Sequence, residues 1–303
     1  MHCMNDEKKP GDRINTDKAF SKLFDEIKKQ DFQSTDELNN FMNNMIGKGI
    51  DDLPERTDKK GRAQDLVYEA QQQPVSKAKK LIKQALKLDP NNADAYNYLA
   101  DIQKDIDKAI KMYEKAIIAA EKTLGMKFFE EEKGHFWGIF ETRPYMRAKA
   151  GLADCFHGKG EIEKTIEIYE EMLELNPNDN QGMRYLLSTL LLHKTDLSSF
   201  EEFMKERDDE DCAVWNFNKA LYNFKKSGQT KKSEKILLHA HNKNKFVIDY
   251  MLGNIELPDE YPQFIGIGDE DEAVAYVSNT WPIWRITDNA FDWLFEFIQK
   301  RSK

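Results

Sequence analysis

The sequence predicts an all-α fold in which paired helices stack in series, and three observations predict it. Apolar residues recur at helical spacing in segment after segment. Small residues stand where two helices of a pair would touch, as Ala78 and Ala85 do seven residues apart. A proline twice follows the second helix of a pair, in Leu88-Asp89-Pro90 and in Leu175-Asn176-Pro177. Small side chains let two helices approach, and a proline ring clashes with the preceding turn and stops the helix. Together these give a tetratricopeptide-type helical solenoid, with an N-terminal helical extension and a C-terminal helical cap.

In chain order, residues 1–15 are polar, contain Pro10 and Gly11, and read as a loose N-terminus. Residues 16–60 hold two helices and a linker. Ala19, Phe20, Leu23, Phe24 and Ile27 mark the apolar face of the first. Ser34 and Glu37 form a capping-box pattern for the second, which carries Leu38, Phe41, Met42, Met45 and Ile46 and stops at Gly47 and Gly49.

The repeat array occupies residues 61–245. Its second unit carries Tyr96, Leu99, Ala100, Ala109, Tyr113 and Ala116, and has a shortened first helix. The third carries Leu152, Ala153 and Phe156, turns at Gly160, and continues with Ile166, Tyr169 and Met172. The fourth has Leu186, Leu187, Leu190, Phe200 and Phe203; the fifth has Trp215, Ala220, Gly228, Leu237 and Ala240. Residues 246–303 form the cap that a solenoid's exposed apolar end requires. There, Asp269 precedes a helix opening on three acids, and a last helix starts near Thr287 or Asp288 with Phe291, Leu294, Phe295 and Ile298 on one face.

Spacing also predicts an insertion. Pro90 and Pro177 are 87 residues apart. Two periods of about 34 residues account for roughly 68 of these, leaving about 19. The segment from about Gly125 to Arg143 is the place for them, so that GHFWGIFETR is the insertion or its edge.

Composition excludes several classes. Hydrophobic residues are 40% and charged residues 33% of the 303, a globular balance, and the net charge of −9 disfavours a sequence-independent nucleic-acid binder. Cys3, Cys155 and Cys212 are scattered, with no metal-ligand or disulfide spacing. No apolar leader and no run of about 18 apolar residues is visible, so a cytoplasmic chain without a membrane span is expected. No cofactor and no metal is expected.

Candidate ligand-binding residues gather around the insertion. Arg143, Arg147 and Arg184 are guanidinium groups suited to holding a carboxylate or phosphate bidentately. In this register Arg147 and Asp154 share a helix face, and Gln181 precedes Arg184 on the next unit. The competing reading is an ion-pair network, with Arg143 or Arg147 on Glu141 or Asp154. His135 and Trp137, with Tyr145 and Tyr185, offer an aromatic floor or simply core. His135 and Glu141 are the one conceivable acid–base pair, without an accompanying nucleophile or phosphate loop. The lysines at 77, 79, 80, 83 and 87 read as a solvated helix face.

The stretches DAYNYLA, GHFWGIFETRPYMRAKAGLA, LNPNDNQGMRYLL and GDEDEAVAY carry a family likeness. Over roughly residues 60–300 the chain resembles uncharacterised bacterial tetratricopeptide-repeat proteins related to the suppressor-of-tumorigenicity family. The resemblance implies an all-α repeat protein and transfers no catalytic residue; the first 55 residues depart from it.

The function expected is a non-enzymatic scaffold binding a protein or peptide partner through an arginine-containing concave groove. The alternative is a peptide-sensing regulator acting with a separate output protein. An enzyme built on the 125–147 insertion ranks third.

Overall fold

The computed structural model of the chain describes residues 10–45, 53–207 and 210–301. Every regular element among them is helical, so the all-α expectation holds. The chain forms two compact units, one running to Pro177 and one from Asn178.

The N-terminal unit opens with α1 (Pro10–Lys28) and α2 (Thr35–Met45). Next come α3 (Lys59–Gln71) and α4 (Val75–Leu88), then α5 (Ala93–Asp101) and α6 (Ile106–Leu124). A short α7 (Met126–Glu131) precedes α8 (Arg143–Gly158) and α9 (Ile162–Leu175). The pairs are α3 with α4, α5 with α6, and α8 with α9; the first helices α3, α5 and α8 are neighbours in one layer.

Local sequence starts each pair. Asp58 accepts the Gly61 amide at 2.8 Å and Asn92 accepts the Ala95 amide at 2.8 Å, satisfying amides that α3 and α5 leave unpaired. Asp105 does the same for α6 through the amides of Asp107 and Lys108. The pairs close on Ala63, Val67, Ala70, Ala78, Ile82, Ala85 and Ala95, all fully buried. Gly151 is required by contact: a Cβ there would lie 2.3 Å from the Tyr113 ring, where α8 crosses α6.

The segment between α6 and α8 is anchored on Phe136. Phe136 is fully buried among Phe128, Phe129 and Tyr145, with ring centroids 5.0–6.2 Å apart. Its amide donates to the Leu175 carbonyl at the end of α9 at 3.1 Å. Thr142, in a short 3-10 turn (Phe140–Thr142), donates its hydroxyl to the carbonyls of Phe136 and Ile139.

The C-terminal unit contains α10 (Met183–Leu191), α11 (Ser198–Lys205), α12 (Ala213–Ser227) and α13 (Lys231–Lys243). It continues with α14 (Val247–Leu252), α15 (Glu270–Ile286) and α16 (Ala290–Gln299). Thr230 and Ser233 form a reciprocal capping box on α13. Glu272, 5% exposed, ties three elements: its carboxylate accepts from the Ala213 amide, the Asn244 amide side chain and the Gly268 amide. Trp293 stacks on Phe224 at 4.4 Å and faces Trp284 at 6.4 Å.

Several local expectations are corrected. The first helix starts at Pro10 rather than near residue 16, because a proline is tolerated in the first turn; residues 1–9, with Cys3, lie outside the described residues, as do Ile46, Gly47 and Gly49. Its expected apolar face is not the buried one: Ser21 and Lys22 are buried, while Phe20 and Phe24 are exposed. Glu37 bonds to the Gln33 amide rather than to that of Ser34, so only half of that capping box forms. The unforeseen α14 precedes the irregular segment. In α16 the buried stripe is Ala290, Trp293, Leu294 and Phe297, and Phe295 is exposed.

Candidate interaction face

The first helices of the N-terminal unit join through a ladder of polar side chains. Gln64 on α3 donates to Asp94 on α5 at 3.0 Å and accepts from Asn92 at 3.0 Å. Asp94 accepts from the Arg147 guanidinium on α8 at 2.7 Å. Asn97, on the same helix, donates to the Pro144 carbonyl at 2.9 Å. Asp94 is buried, whereas the Arg147 side chain keeps 45% of its surface exposed. Among the described residues only one of its nitrogens has a protein partner, so an anchored guanidinium presents its other donors outward.

Arg143 is built into the insertion. Its Nε donates to the Trp137 carbonyl at 3.2 Å, and its guanidinium lies over the rings of Phe140 and Trp137 at 5.2 and 5.6 Å. Burial, and after it the charge of Arg147, push the Arg143 pKa down. Two guanidiniums therefore crowd one end of this face, which favours an anionic group beside them.

The other expected site residues separate. Asp154 is exposed and accepts from the Tyr169 hydroxyl at 3.4 Å, not from Arg147. Glu141 pairs with Lys28 on α1, while His135 is exposed, and nothing joins these two side chains. The acid–base pair that spacing made conceivable is therefore not assembled, because the short turn at Phe140 carries Glu141 toward α1. Tyr145 is core: it is buried and donates to Glu171 at 3.0 Å.

Arg184 belongs to the C-terminal unit and is consumed there. Its Nε donates to Glu210 at 2.8 Å, its Nη1 to Asp179 at 3.0 Å and its Nη2 to the Tyr185 hydroxyl at 2.7 Å. Asp179, at a positive φ of 47°, also caps α10 through the amides of Met183 and Arg184. Gln181 is 5% exposed. Both residues sit in the packing of the turn that starts α10.

Sequence reasoning missed Gln64, Asn92, Asp94, Asn97 and Arg56. Asn92 and Asp94 show only as a helix cap and a first-turn acid, while the link from Asp94 to Arg147 crosses 53 residues of chain. Arg56 lay inside a segment read as a linker, yet its side chain is 4% exposed and bonded to Asp25 at 2.6 Å and Asp65 at 3.0 Å.

Among the described residues no helix is long and apolar enough to cross a membrane, and no group of three or more His, Cys, Asp or Glu is placed to hold a metal ion. Two stretches match tetratricopeptide repeat families: residues 81–118, across the end of α4, α5 and most of α6, and residues 147–179, across most of α8 and all of α9. No curated protein matches the chain significantly. The two matches support a tetratricopeptide-repeat protein, and such repeats commonly serve as protein-interaction scaffolds.

Proposed function

We propose that this chain is a non-enzymatic interaction scaffold that reads a peptide or protein partner on the first-helix face of its N-terminal unit, with Arg147 at the centre. One observation carries the reading: Arg147 is fixed by buried Asp94 yet stands half in solvent beside Arg143. A guanidinium held in place loses little further freedom on binding a carboxylate, which is how preorganisation raises affinity. The repeat matches support a binding role, and the separation of His135 from Glu141 removes the motive for an enzymatic one.

The test uses the full chain as bait, with partners identified by crosslinking. Arg147→Glu is expected to abolish capture of the specific partners while the circular dichroism spectrum is unchanged. Arg184→Ala is expected to keep them, because Arg184 is occupied within its own unit. An identical partner set for the wild type and Arg147→Glu would refute the reading.

A further inference from the structure

The first-helix face already has an occupant. α1 lies against α3 and the insertion, and it is seated by its polar side rather than its apolar one. Asp17, Ser21, Asp25 and Lys28 follow one another at spacings of four, four and three residues, so they share one stripe of the helix. Ser21 and Asp25 both bond to Arg56, and Lys28 pairs with Glu141. Phe24 stacks on Phe140 at 5.6 Å. Asp17 favours the charged forms of Arg143 and Arg147 from the same side. A cavity of about 380 Å³ remains between this stripe and the ladder, lined by Ser21, Asp25, Gln64, Asp94, Phe140 and Pro144.

The seating is therefore charge-matched but incomplete. Asp25 and Lys28 keep 41% and 58% of their side-chain surface, and Phe20 points its ring into solvent. Ion pairs with exposed members contribute little, so among its described polar contacts α1 is held firmly only where Ser21 and Asp25 meet buried Arg56, and a helix held at so few points is exchangeable for a better-matched one.

We infer that α1 is an internal stand-in for the partner, and that the partner is a helical segment with acidic or hydroxyl side chains at positions i, i+4 and i+8. This rests on the reading of the face as a peptide-binding surface. Displacing α1 frees Arg56 and takes the charge of Asp17 away from Arg143 and Arg147 for the incoming stripe, and the partner's own helix takes the space that α1 fills only in part. Binding is then a competition, and the affinity measured is lowered by the fraction of chains in which α1 is seated.

The probe is a fluorescein-labelled synthetic peptide of residues 10–30, read by anisotropy against the full chain. In the full-length variant Ser21→Arg/Asp25→Arg, the new charges face Arg56 and unseat α1. The peptide is expected to bind this variant at least tenfold more tightly than the wild type. A peptide with Asp17 and Asp25 replaced by lysine is expected not to bind. Hydrogen exchange is expected to quicken across α1 and to stay slow in α3 to α9. Should the double variant fail to fold, Lys28→Glu, an exposed single change opposing Glu141, replaces it. Equal affinity for the wild type and a variant with freely exchanging α1 amides would overturn the inference. If Arg147→Glu abolishes partner capture but the peptide does not bind, the face binds partners and α1 is no mimic of them. If the peptide binds the unseated variant while Arg147→Glu leaves partner capture intact, the docking of α1 stands and the proposed function fails.

Discussion

The Asp94 carboxylate on α5 accepts a 2.7 Å hydrogen bond from the Arg147 guanidinium on α8, joining two repeat units through one buried acid and one exposed base. The buried partner needs the bond more than the exposed one does. A carboxylate removed from water must keep its hydrogen bonds, and Gln64 supplies the other. Arg147→Ala is therefore expected to destabilise the chain by about 1 kcal/mol, because water replaces part of the lost bond. A double-mutant cycle with Asp94→Ala, measured by urea unfolding, should show a coupling of similar size. Full additivity would mean that the pair is not formed in solution.

Gly151 marks where α8 crosses α6. Gly151→Ala places a methyl group 2.3 Å from the Tyr113 ring. Overpacking of this kind costs about 1–3 kcal/mol, against the gain that alanine normally brings to a helix. The same change made with Tyr113→Ala should cost much less. A stabilising Gly151→Ala in the wild-type chain would contradict the close crossing.

Phe136 fixes the insertion through its buried ring and through its amide on Leu175. Phe136→Ala is expected to cost about 3–5 kcal/mol, the usual range for emptying a buried aromatic site. Hydrogen exchange should quicken first over residues 126–142. Because the insertion positions Arg143 and Glu141, the peptide affinity of the unseated variant should fall with it. Unchanged exchange in that segment would show that other contacts hold it.

Burial pushes the Cys212 thiol up to about 11. Below the ordinary thiol value near 8.5, folded and unfolded chains are both protonated and nothing changes with pH. Between there and about pH 11 the unfolded chain loses its proton first, so stability falls as pH rises. The slope reaches at most about 1.4 kcal/mol per pH unit for one group. Cys212→Ala should flatten that part of the alkaline unfolding profile, and iodoacetamide at pH 8 should label native Cys212 far more slowly than the denatured chain. Equal labelling rates would place the thiol in water.

Much of the fold was legible because it is local. Alanines seven apart, a proline after Leu88 and after Leu175, and Gly160 at the turn depend on helix geometry alone, and each lies where the helical pattern put it. The face was less legible. Arg147 is conspicuous as an arginine at the mouth of an insertion, but Asp94 looks like any acid in a first turn until stacking brings the two together. Arg184 carries the same side chain and met a different outcome, since Asp179 from its own turn and Glu210 from just before α12 close on it.

The sequence alone determined that this chain is all-α and built of repeated helix pairs, because helical period, small contact residues and stop signals act over a few residues at a time. Only tertiary structure decided which arginine stays open, which is consumed, and which side of α1 turns inward. Those outcomes depend on charges tens of residues apart, whose pairing is set by how the helices stack and not by any spacing along the chain.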